Sequence, residues 1–566
     1  MKPWRICGDN EGMKILGISC HYHESAAALI VDGRIVAASA EERFSRNKHD
    51  AGFPSGAIAF CLAQANIEAK DLDFVVFYEK PFFKFERNLS LAIEHFPHAL
   101  GYFVDSMRNA LTQKLWIKSE IAAKLDVDGD KILFVPQHIS HAAASFYPSP
   151  FEKAAVLTLD GVGEWTTGTM GTAIGNQIHV EKEMRFPHSV GLLYSAFTAY
   201  LGFEVNDGEY KVMGMAAYGK PRHVKKIRKL FRQSDDGSFV LDLTYFSFQY
   251  SNTRMYTRKF IELFDGCDRF DLSASLQEVV EDVILSMVRA LYKRTQCADL
   301  VYGGGVALNS VINAAILAKT PFKRLFIFPA AGDDGGAVGA ALYVYHHVLG
   351  HKKRYPLKEM FLGAAYTNGQ IEDFLRSHDI KFRKLSDAAL LTEVTDALVG
   401  GKVIGWFEGR EEFGPRALGH RSILADPKKP KMKDIVNSKI KFREEFRPFA
   451  PVILEEKVLT YFPDADKLMS PFMLATFHAS TKAKYIAAAT VHVDGSSRIQ
   501  TVNRDYRGRY RKVLELFYKT TGRPILLNTS FNLKGEPIVN TPQNAYGTFM
   551  RSGIDMLVLE NYIVEK

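Results

Sequence analysis

One arrangement of strands occurs twice in the first part of the chain, and it restricts the fold more than any other feature. In the first copy an apolar strand, residues 13–19, runs into the polar loop CHYHES. Two strand-like segments follow, residues 26–31 and 34–40, and Asp32-Gly33 between them is typical of a two-residue hairpin turn. The pattern predicts a strand, a polar loop and then an antiparallel hairpin.

The second copy starts at the strand 153–159, which enters the loop DGVGEW. Its hairpin is formed by residues 166–174 and 177–184, which are joined by Gly175-Asn176. A duplicated unit of this kind predicts an α/β fold with two similar halves. The loop after the first strand of each half would then lie at the carboxyl end of its sheet and face a shared cleft.

Two further strand-to-helix connections are rich in glycine. Residues 300–302 form a short strand that enters GGGVALN (303–309) and then a helix. Residues 324–328 form another strand, which enters PAAGDDGG (329–336) and a helix that runs to about Gly350. Glycine at such a position lets backbone N–H groups approach a phosphate or a nucleoside. These loops therefore favour a nucleotide site in the cleft.

The C-terminal part is dense in arginine and lysine between prolines and glycines. The segments FGPRALGH (413–420) and KFREEFRPFAP (441–451) supply most of them, and ILLNTSFN (525–532) adds hydroxyl and amide groups. The cations are Arg416, Arg421, Lys439, Lys441, Arg443 and Arg447. Guanidinium groups bind oxyanions through paired hydrogen bonds and stay charged at working pH. We interpret the region as a pocket for phosphate and carboxyl groups. The alternative is a solvated basic surface, which the phenylalanines between the charges disfavour.

Length and composition are those of an ordinary globular protein. A chain of 566 residues with 47% apolar and 24% charged side chains is expected to form about two to four domains. The net charge of +8 is too small for this length to indicate a nucleic-acid partner. No apolar run is long enough to cross a membrane. The five cysteines are scattered without metal-finger spacing, which is typical of the cytoplasm, where we expect the protein to reside.

Seven motifs, in order along the chain, resemble the O-carbamoyltransferases of natural-product pathways. That family includes the nodulation-factor, tobramycin, cephamycin and saxitoxin-pathway carbamoyltransferases. The motifs are HESAAALIVDG (23–33), EERFSRNKHD (41–50), HSVGLLYSAFTAYLGF (188–203), GEYKVMGMAAYGKP (208–221), FGPRALGHRSI (413–423), KFREEFRPFAP (441–451) and LLNTSFN (526–532). The resemblance runs from about Met13 to the C-terminus.

The resemblance implies a domain plan. Residues 1–12 would be an N-terminal extension, and residues 13–355 a Kae1-like carbamoyl-transfer domain with halves at about 13–150 and 151–355. Each half would be ribonuclease-H-like, as in the actin, Hsp70 and sugar-kinase superfamily. Residues 360–566 would be a YrdC-like α/β domain that forms carbamoyl adenylate.

The implied activity is ATP-dependent transfer of a carbamoyl group to a hydroxyl of a small-molecule natural product, as in antibiotic and other secondary-metabolite biosynthesis. The C-terminal domain would use ATP and carbamoyl phosphate to form carbamoyl adenylate, and the N-terminal cleft would transfer the carbamoyl group. The small charge excess and the lack of a long apolar run lead us to expect neither a nucleic-acid nor a membrane partner, and a homodimer remains open. Acceptor specificity is expected within residues 80–130, although most aromatic side chains there are expected to be core residues.

Two alternative functions remain open. One is a carbamoyl-adenylate enzyme of tRNA threonylcarbamoylation or hydrogenase-maturation type, since such proteins share both folds. The dispersed cysteines cannot build the zinc fingers of the maturation proteins. The other is a nucleotide-binding regulator that performs no chemistry.

For the C-terminal pocket, the resemblance places Arg416 and Arg447 on carbamoyl phosphate as catalytic and binding residues. It places Asn528 and Ser530 on the carbamoyl group and the nucleotide. Attack on the α-phosphorus of ATP builds charge on phosphoryl oxygens, and fixed cations with hydroxyl donors stabilise that charge.

For the N-terminal cleft, the resemblance makes His23 the base that deprotonates the acceptor, although loop histidines are more often surface groups. The family usually has His-Asp at this place, whereas this chain has His23 followed by glutamate. Lys48 would lie near the nucleotide phosphates. Gly304 and Gly305 would contact the adenylate by close backbone approach, and Asn309 by its amide.

The resemblance also implies a divalent metal, often assigned as iron, bound by His141, Asp160 and Asp333. The family has HHxxH where this chain reads QHISH, so that Gln137 replaces a histidine. Imidazole suits iron better than an amide oxygen does. Either Gln137 binds weakly, or His138 replaces it, or the site takes a harder ion such as Mg²⁺ or Mn²⁺.

Five residues keep two interpretations each. Arg421 and Arg443 are expected either to contact ligand or to form structural salt bridges. Glu209 and Lys211 are expected either to touch phosphates or to pair with each other in the cleft wall. Asp334 is an alternative to its neighbour as a metal ligand.

Overall fold

The computed structural model describes residues 12–112, 114–467 and 470–566, so the predicted extension lies outside it apart from Gly12. The strands are β1 (Lys14–Ser19), β2 (Ala26–Val31), β3 (Arg34–Ala40), β4 (Phe74–Phe77), β5 (Ile132–Phe134), β6 (Lys153–Leu159), β7 (Thr166–Ile174), β8 (Gln177–Arg185), β9 (Phe231–Gln233), β10 (Phe239–Leu241), β11 (Asp299–Gly303), β12 (Arg324–Ile327), β13 (Arg383–Lys384), β14 (Ile404–Phe407), β15 (Arg421–Ala425), β16 (Ala450–Leu454), β17 (Thr476–His478), β18 (Ser496–Arg498), β19 (Gln500–Val502), β20 (Ile525–Ser530), β21 (Met556–Leu559) and β22 (Tyr562–Glu565).

The helices are α1 (Glu42–Ser45), α2 (Ser55–Ala65), α3 (Pro81–Glu94), α4 (Leu100–Thr112), α5 (Ile117–Leu125), α6 (Gln137–Phe146), α7 (Val190–Tyr200), α8 (Glu209–Ala216), α9 (Val224–Ile227), α10 (Arg258–Phe264), α11 (Arg269–Thr295), α12 (Ser310–Lys319), α13 (Asp333–Tyr343), α14 (Asn368–Ser377), α15 (Asp387–Val399), α16 (Lys431–Val436), α17 (Val458–Tyr461), α18 (Thr481–Ile486), α19 (Arg509–Thr521) and α20 (Pro542–Met550). None of the helices in the described ranges has the length and apolar character needed to cross a bilayer.

The two halves of the N-terminal part have the same sheet topology. The first sheet has the order β3-β2-β1-β4-β5 and the second the order β8-β7-β6-β11-β12. In both, the first three strands in sequence form an antiparallel meander, and the two later strands add in parallel to the other side. The hairpin turn at Asp32-Gly33 has positive φ at both residues, 49° and 78°. The predicted duplicated α/β module is therefore confirmed.

Helix α13, which follows the last strand of the second half, connects the two halves. It packs against β1 and β2 of the first sheet and against α6. The contact is so close that a Cβ atom on Gly17 of β1 would lie 1.9 Å from the carbonyl oxygen of Ala337. This packing fixes the first residues of α13 opposite the end of β1.

The C-terminal part is a separate α/β unit with its own sheet of eight strands, in the order β13-β22-β21-β14-β15-β20-β16-β19. Apolar side chains on its two faces form two buried clusters, one centred on Phe407 and Leu557 and the other on Trp406 and Leu514. The fold class is thus a duplicated α/β module fused to a C-terminal α/β domain. Met360 and Leu362, just before this domain, pack into the core of the first half.

One expectation about the N-terminal module is wrong. Most of the aromatic side chains between residues 80 and 130 were expected in the core, but Phe82, Phe96 and Trp116 are 71%, 70% and 60% exposed. The reason is that α3 and α4 bury only one face, through residues such as Leu91 and Tyr102.

Candidate active site

The predicted cleft residues lie at the carboxyl ends of the central strands. His23 follows β1, Asp160 follows β6, Gly304 follows β11, and Asp333 begins α13 just after β12. The Nε2 atom of His23 lies 3.7 Å from an Oδ atom of Asp333. Loops from both halves therefore meet in one cleft, as the duplicated strand pattern predicts.

A compact group of potential ligand atoms lies at the bottom of this cleft. One ligand atom each from His141, Asp160 and Asp333 lies within 4.8 Å of the others. His141 Nε2 is 3.2 Å from Asp160 and 3.5 Å from Asp333. Gln137, one helical turn before His141, donates from Nε2 to Asp333 at 2.6 Å and to Asp160 at 3.1 Å. We call these four residues the cleft cluster.

Gln137 and His138 are the two candidates for the fourth metal ligand, and their side chains point in different directions. His138 turns away from the cleft cluster, and its Nδ1 lies 2.7 Å from the hydroxyl of Thr158. Gln137 directs its amide nitrogen at the two carboxylates of the cluster, whereas its buried Oε1 faces Gly163 and has no hydrogen-bond partner among the described residues. Two carboxylates and one imidazole are a donor set that fits a divalent cation, with more oxygen than iron sites usually have.

The electrostatics of the cleft cluster are set by burial and by its carboxylates. Burial alone would lower the pKa of His141, but its hydrogen bonds to Asp160 and Asp333 raise that pKa to about 10. Although burial opposes it, the hydrogen bond from His141 lowers the pKa of Asp160. Asp334 is directed elsewhere: its Oδ1 accepts from the N–H of Gly335, and burial followed by nearby carboxylates raises its pKa.

The environment of His23 is partly apolar. Its ring lies 4.5 Å, centroid to centroid, from the ring of Tyr22. Its Nδ1 is buried and makes no hydrogen bond to any described residue. Its other nitrogen faces Asp333, so a proton gained at Nε2 would lie next to a carboxylate.

The glycine-rich loop after β11 packs closely on the end of β6, and its predicted contact with the adenylate remains a prediction. Gly304 has φ +89°, and a Cβ atom there would lie 2.2 Å from the carbonyl oxygen of Leu159. Gly305 lies against Asp160: a Cβ atom added to Gly305 would lie 3.0 Å from Oδ1 of Asp160. Asn309 instead caps α12 through the N–H of Ile312, and its amide also bonds to Gln277. Its role at a nucleotide remains a prediction.

Lys48 and Lys211 meet at one carboxylate. Lys48 Nζ is 2.5 Å and Lys211 Nζ is 2.9 Å from Asp207. The side chain of Glu209 accepts from the hydroxyl of Ser195 at 2.7 Å. Glu209 and Lys211 are therefore not an ion pair with each other.

A second site lies in the C-terminal domain and is lined by cations. The guanidinium groups of Arg416, Arg443, Arg447 and Arg498 lie close together: burial and then the charges of the other three lower the pKa of Arg498. Burial is the largest cause; with Arg447 it lowers the pKa of Arg416 to about 10 and that of Arg443 to about 9. Only Arg447 has an ion-pair partner among the described residues, Glu444 at 3.5 Å. We call these four residues, with Lys441, the anion pocket.

Lys441 forms the floor of the anion pocket. Its buried ammonium donates to the backbone carbonyl and hydroxyl of Ser530 at 2.5 and 3.1 Å, and to the side chain of Asn532 at 2.6 Å. Burial and then Arg443 and Arg447 lower its pKa. Asn528, two residues before Ser530 on β20, donates to Gln500, and its buried Oδ1 has no partner in the described chain.

Arg421 and Arg443, each with two possible roles from the sequence, lie in different surroundings. Arg421 is fully buried, and it donates to the carbonyls of Glu408 and Ala364 and packs on Phe407 at 3.6 Å. It is a structural residue of the sheet. Arg443 bonds to Asn437 at 2.9 Å but is half-buried at the edge of the anion pocket.

Sequence reasoning missed one member of the anion pocket, Arg498. This residue lies on β18, far along the chain from the other cations, and an isolated arginine in a short strand gives no local signal. Lys441 was among the cations of the predicted pocket.

These features define a class: an α/β protein with a carboxylate and histidine cleft in one domain and a cation-lined pocket in the other. Two family models match the chain, the carbamoyltransferase N-terminus over residues 14–342 and the carbamoyltransferase C-terminus over residues 395–566. The chain therefore belongs to the carbamoyltransferase family and is a carbamoyltransferase.

Similar proteins align with most or nearly all of the chain. An uncharacterized protein of Synechocystis sp., sll1178, is 44% identical over 98% of this chain and 96% of its own length. Nodulation protein NolNO of Sinorhizobium fredii is 36% identical over 96% of this chain and 79% of its own. Nodulation protein NolO of Bradyrhizobium diazoefficiens is 37% identical over 76% and 78%. The predicted resemblance to carbamoyltransferases is thereby confirmed.

Proposed function

We propose that the chain is an ATP-dependent O-carbamoyltransferase that forms carbamoyl adenylate and passes its carbamoyl group to a hydroxyl of a small-molecule natural product. The observation that carries this proposal is the anion pocket, where five cations have one paired carboxylate, Glu444, among the described residues. Unneutralised cations in a half-buried site oppose folding, so their retention favours an anionic ligand. Carbamoyl phosphate and the phosphates of ATP provide such charge.

The first half-reaction takes place in the anion pocket. Water converts carbamoyl phosphate to carbamate and phosphate. A carbamate oxygen then attacks the α-phosphorus of ATP, the bond from that phosphorus to the bridging oxygen breaks, and pyrophosphate leaves. Arg416 and Arg447 bind the phosphoryl oxygens, and Asn528 and Ser530 orient the carbamoyl group and the nucleotide. Their fixed charges and hydrogen-bond donors stabilise the negative charge of the transition state.

The second half-reaction takes place in the cleft. His23 accepts the proton of the acceptor hydroxyl at Nε2, and the nearby Asp333 carboxylate stabilises the imidazolium that forms. The hydroxyl oxygen attacks the carbamoyl carbon, the bond from that carbon to the phosphate oxygen breaks, and AMP leaves. Lys48 and the glycines at 304 and 305 hold the adenylate during this step.

The cleft cluster would hold a divalent metal, either Fe²⁺ or Mg²⁺/Mn²⁺. Its ligands would be His141, Asp160 and Asp333, and Gln137 would become the fourth after a rotation of its amide that turns Oε1 toward the two carboxylates. When bound, the metal would supply a positive charge that polarises oxygen atoms in the cleft. The convergence of one ligand atom each from His141, Asp160 and Asp333 supports this ligand set.

The test is a pyrophosphate assay with purified protein. Protein, ATP and carbamoyl phosphate together should release pyrophosphate, and omission of either substrate should abolish the release. Steady formation of ADP in place of pyrophosphate would contradict the adenylate mechanism. A melting temperature that shifts with ATP, without any turnover, would instead indicate a nucleotide-binding regulator.

A further inference from the structure

One short segment contacts all three parts of the fold. Residues 41–50, EERFSRNKHD, comprise α1 and the loop after it, and we call them the junction segment. The segment belongs to the first half. Its side chains reach two loops of the anion pocket and a loop of the second half, although the proposed chemistry uses only Lys48.

Arg43 connects the junction segment to the loop of Arg416. Its side chain is buried, with Nε 2.9 Å from Glu411 and Nη2 donating to the carbonyl of Gly414 at 3.0 Å. Gly414 also packs on Ala330: a Cβ atom added to Gly414 would lie 3.4 Å from the Cα atom of Ala330. Gly414 precedes Arg416 by two residues, and Ala330 precedes the cleft residue Asp333 by three. The bases of the two catalytic loops are therefore in contact, and Arg43 bonds to the Arg416 loop beside this contact.

Arg46 makes the matching connection to the loop of Ser530. Its guanidinium donates to the carbonyls of Pro537 and Ile538 at 2.8 and 2.7 Å. The next residue, Val539, donates its backbone N–H to the carbonyl of Phe531, which follows Ser530. Charge-assisted bonds to two successive carbonyls fix the position of a loop firmly.

The far end of the junction segment reaches the second half. Lys48 and His49 contact Asp207 at 2.5 and 3.0 Å. The side chain of Glu42 accepts from the backbone N–H of His49 at 3.0 Å, which ties this end back to α1. A displacement of the C-terminal domain would therefore strain the contacts at both ends of the segment.

We infer that Arg43 and Arg46 are positioning residues that couple the two half-reactions. They hold the Arg416 and Ser530 loops against the transfer domain, so that carbamoyl adenylate passes to the cleft without contact with bulk water. The inference rests on the proposed function. When the coupling is loosened, water attacks the carbamoyl carbon, the bond to the adenylate phosphate oxygen breaks, and carbamate and AMP form. Carbamate then takes up a proton and decomposes to carbon dioxide and ammonia.

The test requires no knowledge of the acceptor. Full-length wild type, Arg43→Lys and Arg46→Lys are each mixed with ATP and carbamoyl phosphate alone, and pyrophosphate, AMP and ammonia are followed over time. Lysine keeps the charge but cannot reproduce the two-pronged contacts of arginine. Arg258→Lys is the control, since this residue is 90% exposed in an ion pair with Glu262. Every variant is assayed well below its own melting temperature.

We expect wild type and Arg258→Lys to release about one pyrophosphate per protein rapidly and AMP and ammonia slowly. Arg43→Lys and Arg46→Lys should keep the rapid phase but release AMP and ammonia about tenfold faster, the usual size of effect for one lost charge-assisted hydrogen bond. The inference is overturned if the slow release is unchanged, or if both phases fall together as expected for a merely structural role. Absence of the rapid phase in wild type would instead remove the proposed function itself. Should one lysine variant fail to fold, the other decides the result, and Arg43→Gln and Arg46→Gln provide second variants at the same positions.

Discussion

The guanidinium of Arg447 lies over the ring of Tyr210, 4.7 Å from its centroid. Arg447 belongs to the anion pocket of the C-terminal domain, whereas Tyr210 lies on α8 of the second half. Phe203 of the second half also packs edge-on against Phe446, at 6.4 Å. The wall of the anion pocket is therefore built from both domains.

Arg498 tests the part of the anion pocket that the sequence did not reveal. Arg498→Ala should lower pyrophosphate release by about 30- to 1000-fold, since losing a fixed cation typically costs about 2–4 kcal/mol of transition-state stabilisation. Arg504→Ala, an exposed arginine six residues along the chain, is the matched control and should retain wild-type rates. Equal rates for Arg498→Ala and wild type would exclude this residue from the site.

Gln137 tests the metal assignment. Gln137→His should raise the affinity for Fe²⁺, measured by anaerobic titration calorimetry, by about 10- to 100-fold, because imidazole replaces an amide oxygen. His138→Ala is the control and should leave affinity unchanged, since this side chain faces Thr158. Stoichiometric iron in the wild-type protein that resists chelators would contradict the weak-ligand role of Gln137.

His49 makes the contact between the halves sensitive to pH. Its hydrogen bonds to Asp207 and then to Glu24, opposed by burial, raise its pKa to about 9. The unfolded chain has a histidine pKa of about 6.5, so protonated His49 contributes its full stabilisation to the folded state below about pH 6.5. The contribution is lost as the pH rises through about 9. The melting temperature of wild type should therefore fall more from about pH 7 to about pH 9 than that of His49→Gln.

The control for that experiment is His378→Gln, which changes an exposed histidine just after α14. Its melting temperature should follow wild type across the same range. If His49→Gln also follows wild type, the contact with Asp207 does not contribute to stability at neutral pH.

The sequence predicts the N-terminal module closely because its signals are local. Each copy of the strand and hairpin, and each glycine-rich loop, is formed by consecutive residues. The strands β2, β3, β6 and β7 begin and end at the predicted positions. The cleft residues follow from these strands, because the carboxyl ends of parallel strands share one edge of a sheet. His141 joins them because α6 packs against α13 between the sheets.

The remaining features depend on contacts between distant segments. Nothing near Arg498 in the sequence indicates that β18 lies beside the Arg416 loop. Likewise, the hydrogen bonds between the amides of Asn309 and Gln277 depend on the packing of α11 against α12. The exposure of Phe82 was missed because an apolar helix face looks the same in a sequence whether or not a neighbour covers it.

The central claim is that activation and transfer occur in two different sites. It is tested most directly by pyrophosphate release from His23→Ala and Arg447→Ala with ATP and carbamoyl phosphate, in variants that melt like wild type. Arg447→Ala removes a cation of the anion pocket, and release should fall by about 30- to 1000-fold. His23→Ala leaves that pocket intact, so release should stay near wild type while transfer to an acceptor falls by about 10²- to 10⁴-fold. An equal loss of pyrophosphate release in both variants would mean one shared site and would contradict the account.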